Sequence, residues 1–376
     1  MKIIAHTRRQ EMSGHGANRQ GHIMNIAKLT AAVVAASMLG GCLLAITPPD
    51  DTTTATPVAP ASVSPVTSVQ APTGYNAQEV AIFNSINLYR SKLDLDGGPG
   101  VGMLAQDTTL DAAAQKHEIY LTSQANGDIE THDEDPTGVN YFAATPHDRA
   151  VLAGFTPATA WIGEVIGTGQ ATIDDSSGLP ACVSQLLDSV YHLEALTANE
   201  EKIGLYNDPS WACVLEGATI TGTDGTVLPA SGNDEPIGGG QQMSISTAAV
   251  SPYKGEVGVL PAMSTGENPQ PDLPTATPGH PVMLRVRADF ASDVLRVDAF
   301  TLTDNEGNAV AGTILMAANA LATSTTVNAK GDTLIQAGVA FFVPSLPLTD
   351  NVSYTAHFVG ARNGVTVDRS WSFTTQ

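Results

Sequence analysis

Apolar positions recur at helical spacing through the first half of the chain and at strand spacing through the second. Val80, Phe83 and Ile86, together with Ile82, Tyr89 and Leu93, predict a helix over residues 77–93. Leu110, Ala113, Ala114, His117 and Leu121 form the stripe of a second helix, capped by Asp107 and ended by Gly127. Thr145-Pro146 opens a third helix with Gly154 as its stop. Residues 161–166 are strand-like and 179–196 helical. Residues 202–206 and 211–220 are short strands around the turn Asn207-Asp208-Pro209-Ser210. Helices alternating with a few antiparallel strands predict a three-layer α/β/α sandwich over residues 74–222, in an α+β chain.

The period then changes. Residues 223–248 are rich in Gly, Ser, Asp and Gln, lack basic residues and read as a linker. From about Val250 the pattern is β: Val282, Leu284 and Val286 alternate, as do Tyr354, Ala356 and Phe358, then Trp371 and Phe373. Turns such as Asn305-Glu306-Gly307-Asn308 and Arg362-Asn363-Gly364 separate the runs. An all-β sandwich over residues 249–376 follows. Tyr354, preceded by Pro347-Leu348-Thr349-Asp350, has the setting of a tyrosine corner.

The N-terminus adds a compartment. Residues 26–39 are apolar but too short for a transmembrane span, which needs about 20 residues. They end in Leu39-Gly40-Gly41-Cys42, the pattern of a bacterial lipobox, so residues 1–42 read as a lipoprotein signal peptide with Cys42 as the lipidated residue. Met24 offers an alternative, more compact start. Leu43, not Asp, follows the cysteine, which favours an outer-membrane anchor in the cell envelope. Residues 43–73 carry six prolines and no Lys or Arg, and read as a disordered spacer. The two remaining cysteines, Cys182 and Cys213, are expected to form a disulfide in an oxidising compartment.

Charge narrows the partners. Five of 17 basic residues but only Glu11 of 38 acidic ones precede Cys42, leaving 12 basic against 37 acidic residues afterwards. Such a surface repels phosphate backbones, which excludes nucleic acid as an expected partner.

The candidate chemistry lies in His132, Glu164 and His192. His132 follows the second helix, Glu164 sits in the apolar run Trp161-Ile162-Gly163-Glu164-Val165-Ile166, and His192 ends an amphipathic stretch over 183–192. Two imidazoles and a carboxylate in one cleft can hold Zn²⁺ or another divalent cation through His132 and His192, with Glu164 acting on bound water. They can equally hydrogen-bond one another in a polar pocket. No HExxH helix or Gly-x-Ser-x-Gly elbow accompanies them. His117 reads as a packed core residue, His147 as exposed, and Asp133-Glu134-Asp135 as a solvated loop.

Six segments, in order, carry a resemblance: Asn87-Leu88-Tyr89-Arg90, Leu110-Asp111-Ala112-Ala113-Ala114-Gln115-Lys116-His117, Thr131-His132, Gly163-Glu164-Val165-Ile166, Ser189-Val190-Tyr191-His192 and Lys202-Ile203-Gly204-Leu205. Residues 76–220 resemble bacterial members of the CAP superfamily, the SCP-like or cysteine-rich secretory protein domain. The C-terminal part, ending Trp371-Ser372-Phe373-Thr374-Thr375, resembles an Ig-like module. The resemblance implies a three-layer sandwich with His132, Glu164 and His192 lining its central cleft. Val165 stands where the family has Asn, and Ser189 takes the slot of its second Glu. The implied function is a lipid-anchored envelope protein that binds a hydrophobic or other envelope ligand. The alternative is a metal-dependent hydrolase of envelope peptide or polysaccharide.

Overall fold

The computed structural model describes residue 59 and residues 61–123, 131–168, 179–208, 212–222, 236–264 and 266–376. The signal peptide and lipidated Cys42 lie outside the described residues, as does most of the linker. The first half contains α1 (Ala77–Lys92), β1 (Ala105–Gln106), α2 (Thr108–Leu121), α3 (Pro146–Leu152), β2 (Trp161–Thr168), α4 (Ala181–Leu187), α5 (Tyr191–Leu196), β3 (Lys202–Asn207) and β4 (Ala212–Thr219). The second contains β5 (Ala248–Ser251), β6 (Val257–Val259), β7 (Val282–Val286), β8 (Leu295–Thr303), β9 (Gly312–Ala317), β10 (Ala329–Asp332), β11 (Val339–Pro344), β12 (Ser353–Arg362) and β13 (Val365–Thr375), with a 3₁₀ turn at Ala318–Thr323.

Local signals account for most ends. Asn76 and Glu79 form a capping box on α1, and Asp107 and Thr145 cap α2 and α3. Asn363 and Gly364 both adopt positive φ in the β12–β13 hairpin, as a two-residue primed turn requires. Tyr354 Oη accepts the Thr349 N–H at 2.9 Å, the tyrosine-corner bond.

Three sheets organise the described residues: β1-β3-β4-β2, β10-β9-β11-β7-β5 and β6-β13-β12-β8. Each mixes parallel and antiparallel pairs, β1 with β3, β10 with β9 and β13 with β6 being parallel. In the first sheet, Cys213 and Leu215 of β4 face a core with α1, α4 and α5, while Val214 and Ala218 face away from it.

The α1/α4/α5 layer is not bounded by solvent. Ile82, Phe83, Leu186 and Leu193 share one core with Met283, Leu315, Val339 and Phe341 of the five-stranded sheet. The alternate residues of those strands, Val282, Leu284, Met316 and Phe342, pack instead against Phe300, Phe358 and Trp371 of the third sheet. The five-stranded sheet is therefore buried on both faces, and every residue of β5, β7 and β11 is buried.

This corrects the expected fold class. The molecule is sheet-rich, with three mixed sheets and short helices, rather than a helix-rich three-layer α/β/α sandwich followed by an Ig-like sandwich. The physical reason is the helix layer: both of its faces are apolar, and the second is covered by a sheet from the C-terminal half. Residues 57–376 form one compact unit.

Part of the stretch read as spacer is docked: Val63 N–H donates to Gly240 O at 2.9 Å, and Met103 N–H to Val66 O at 2.8 Å. Buried Gln241 fastens the region, accepting from Val66 N and donating to Met103 O and Glu200 O. The helix expected over 179–196 is broken at Asp188-Ser189-Val190 into α4 and α5. Cys182 and Cys213 form the expected disulfide, tying α4 to β4.

Candidate functional site

A cleft of about 300 Å³ opens beside the edge strand β2 and the short helix α5. Its floor is the cross-strand pair Gly163 and Gly217. A Cβ at Gly163 would collide with the Trp161 indole, and one at Gly217 with the Glu200 carboxylate, so the glycines let both groups lie against the sheet. Leu104, Val165, Ile203 and Leu215 supply apolar wall. Glu267, Asn268, Pro269, Leu334 and Gln336 reach in from the C-terminal half.

His132, Glu164 and His192 all line this cleft. Their roles differ. Glu164 alternates with Trp161, Gly163 and Val165, so its side chain lies on the α2/α3 face of the sheet. There its carboxylate is fully buried, with Oε2 accepting from Arg149 Nη2 at 2.6 Å and Oε1 from His132 Nδ1 at 2.9 Å. Burial pushes the carboxyl up, but Arg149, His117 and His132 outweigh it and hold Glu164 well below the usual carboxylate range. An enclosed carboxylate with both oxygens engaged orients His132 and does not touch water itself. Arg149 also donates to His132 O at 3.0 Å, fixing the loop that carries the imidazole.

His192 is held from the other side. Ser189 Oγ donates to Leu186 O at 2.9 Å, so at His192 Nδ1, 3.1 Å away, it accepts. Glu267 Oε1 stands 3.5 Å from the same nitrogen. Both imidazoles therefore carry their proton on Nδ1 when neutral and leave Nε2 as an acceptor. Burial, and next the neighbouring His132, push His192 down to about 4. Glu267 also accepts the N–H groups of Val190, Tyr191 and His192 at 3.0, 2.6 and 3.1 Å, capping α5. His192 thus sits in the first turn of α5, where the sequence placed it at a helix end.

A charge network backs His132. Both nitrogens of His117 face oxygens, Glu134 Oε1 at 3.0 Å and Thr131 O at 2.8 Å. Glu216 lies opposite Glu164 across the β2–β4 ladder and is fully buried. Burial, then the Glu164 charge, raise its carboxyl well above the ordinary value.

Sequence reasoning missed Arg149, Glu216 and Glu267. Arg149 had the weak signal of a lone cation on a short apolar helix; Glu267 had none. His117 is a buried residue as expected. His147 and Glu134 are buried, against expectation: His147 Nε2 bonds Ala158 O at 2.9 Å, and Glu134 accepts from Phe142 and Ala143 N–H. The Asn-x-x-Arg element is a clamp. Asn87 exchanges two bonds with Leu104, and buried Arg90 donates to Gly102 O, Leu196 O and Ala198 O.

A divalent ion fits this arrangement poorly. His132 and His192 offer two imidazole nitrogens, but the Glu164 carboxylate is taken by Arg149 and His132. Among the described residues no group of three or more His, Cys, Asp or Glu side chains converges as a metal site. No helix among the described residues is long and apolar enough to cross a membrane. No family model matches the chain, and no curated protein matches it.

Proposed function

We propose that this chain is a non-enzymatic ligand-binding protein of the bacterial envelope, anchored through Cys42, that takes a small molecule with an apolar body into the His132/His192 cleft. One observation carries the reading: a cleft of about 300 Å³, at the lower end of small-molecule sites, whose mainly apolar wall is punctuated by two imidazoles held in fixed tautomers. Binding uses these nitrogens as acceptors for donors on the ligand. The order of CAP-like segments supports a binding role by analogy alone.

Turnover has less support. Ser189, the hydroxyl nearest His192, is 1% exposed and already bonded to Leu186 O, so it is not presented as a nucleophile. The test is titration of the full chain with 1-anilinonaphthalene-8-sulfonate and with uncharged octan-1-ol, read by dye and tryptophan fluorescence. Saturable octan-1-ol binding, weakened at least about threefold in His132→Ala and His192→Ala, is expected. Unsaturable binding that neither substitution alters would sink the proposal.

A further inference from the structure

We infer that the cleft selects an ammonium group on an apolar body, a protonated amine amphiphile, over the neutral or anionic molecule of the same shape. This deepens the ligand-binding proposal and rests on it.

The polar wall is built for a donor. Glu194, Glu200 and Glu267 line the cleft, the Glu164 carboxylate lies behind it on the other face of the sheet, and among the described residues no Lys or Arg lines it. The nearest cations are committed behind the wall. Arg149 is spent on Glu164 and the His132 carbonyl. Arg90 is spent on Glu200 and four backbone carbonyls. Arg285 donates to Glu194 O.

The acidic side chains are positioned rather than mobile. Glu194 Oε1 accepts the Gln336 N–H at 2.8 Å, and Glu267 is held by three N–H groups of α5. In their neutral forms both imidazoles add an acceptor nitrogen. Trp161 and Tyr191 complete the wall with aromatic rings, whose faces attract ammonium groups. An anion placed here would meet the Glu194 and Glu267 side chains and no Lys or Arg in the wall. A neutral alcohol would satisfy the imidazoles but leave the negative field uncompensated. The net charge of −21 adds attraction at long range.

The experiment compares octylamine, octan-1-ol and octanoate by isothermal titration with the full chain near neutral pH, below their aggregation concentrations. Octylamine is expected to bind at least about tenfold tighter than octan-1-ol, with octanoate weakest. Raising salt from roughly 50 to 500 mM should weaken the amine and leave the alcohol unchanged. Ala195→Phe, which fills the cleft, should remove binding of both, its fold being checked by near-UV circular dichroism. Equal affinity for amine and alcohol, or preference for octanoate, overturns the charge selectivity and leaves the binding proposal standing. Amine binding that survives in a folded Ala195→Phe places the amine elsewhere and overturns the inference. No binding of any of the three overturns both proposals. Should Ala195→Phe fail to fold, the wild-type comparison and its salt dependence decide alone.

Discussion

Glu164 and Glu216 stand opposite each other across two strands, yet burial raises the carboxyl of Glu216 while Arg149 holds that of Glu164 down. Glu164 has Arg149 at 2.6 Å, whereas the closest approach of Arg149 to Glu216 is 3.7 Å. Removing the favoured partner should therefore be severe. Glu164→Gln leaves Arg149 buried and underpaired and is expected to cost about 3–5 kcal/mol in urea unfolding; a loss under 1 kcal/mol would show the pair to be dispensable. Glu216→Gln replaces the acid by an amide that cannot ionise. The raised carboxyl of Glu216 contributes stability at low pH that is lost as pH rises past its unfolded value, so the variant should equal wild type near pH 4 and exceed it at pH 8. A lower melting temperature for the variant at pH 8 would contradict this assignment. His192 runs the other way. With the folded state near 4 and the unfolded state near 6.5, the unfolded chain binds more protons in that window, and stability falls as pH drops from 6.5 to 4. His192→Gln should abolish that slope, on the order of 1–3 kcal/mol, in urea titrations at pH 7, 5.5 and 4.5.

At the scale of elements, the break between α4 and α5 decides where His192 stands. Periodicity favours a continuous helix, since Leu186, Val190 and Leu193 remain on one apolar face. Glu267, 75 residues from His192 in sequence, satisfies the three N–H groups that the break exposes. Glu267→Ala should leave those buried donors unmet and destabilise by about 2–4 kcal/mol. It should also collapse hydrogen-exchange protection of the Tyr191–Leu196 amides before that of β4. Unchanged protection there would mean the cap is not what holds α5. The disulfide acts on a neighbouring element. Replacing Cys182 and Cys213 with Ala should cost about 3–4 kcal/mol through the released loop.

At the scale of the whole molecule, one core joins helices of the first half to strands of the second. A fragment of residues 57–222 would expose the face of α1, α4 and α5 that meets Met283, Leu315, Val339 and Phe341. Each buried apolar side chain of this size contributes about 1.5–3 kcal/mol, so their loss rivals a typical total stability of 5–15 kcal/mol. The fragment is expected to be molten or insoluble, with native-like far-UV but no near-UV circular dichroism. A soluble fragment with dispersed amide resonances would show that the first half folds alone.

The sequence by itself determined what depends on near neighbours. The caps at Asp107 and Thr145, the Asn363-Gly364 turn, the tyrosine corner and the Cys182–Cys213 pair were all legible, because turns, caps and side-chain periods are properties of a few consecutive residues or of composition. So was the meeting of His132, Glu164 and His192 at one cleft, through the order of short segments. Tertiary structure alone decided the rest. Met283 and Arg285 interrupt the reading of β7 as one-faced, since a strand buried on both sides loses the alternation that reports its partners. The side of the sheet on which Glu164 acts, the cations behind the cleft, and the Glu267 cap all join residues far apart in the chain, and no local pattern encodes which distant surface will cover an apolar face.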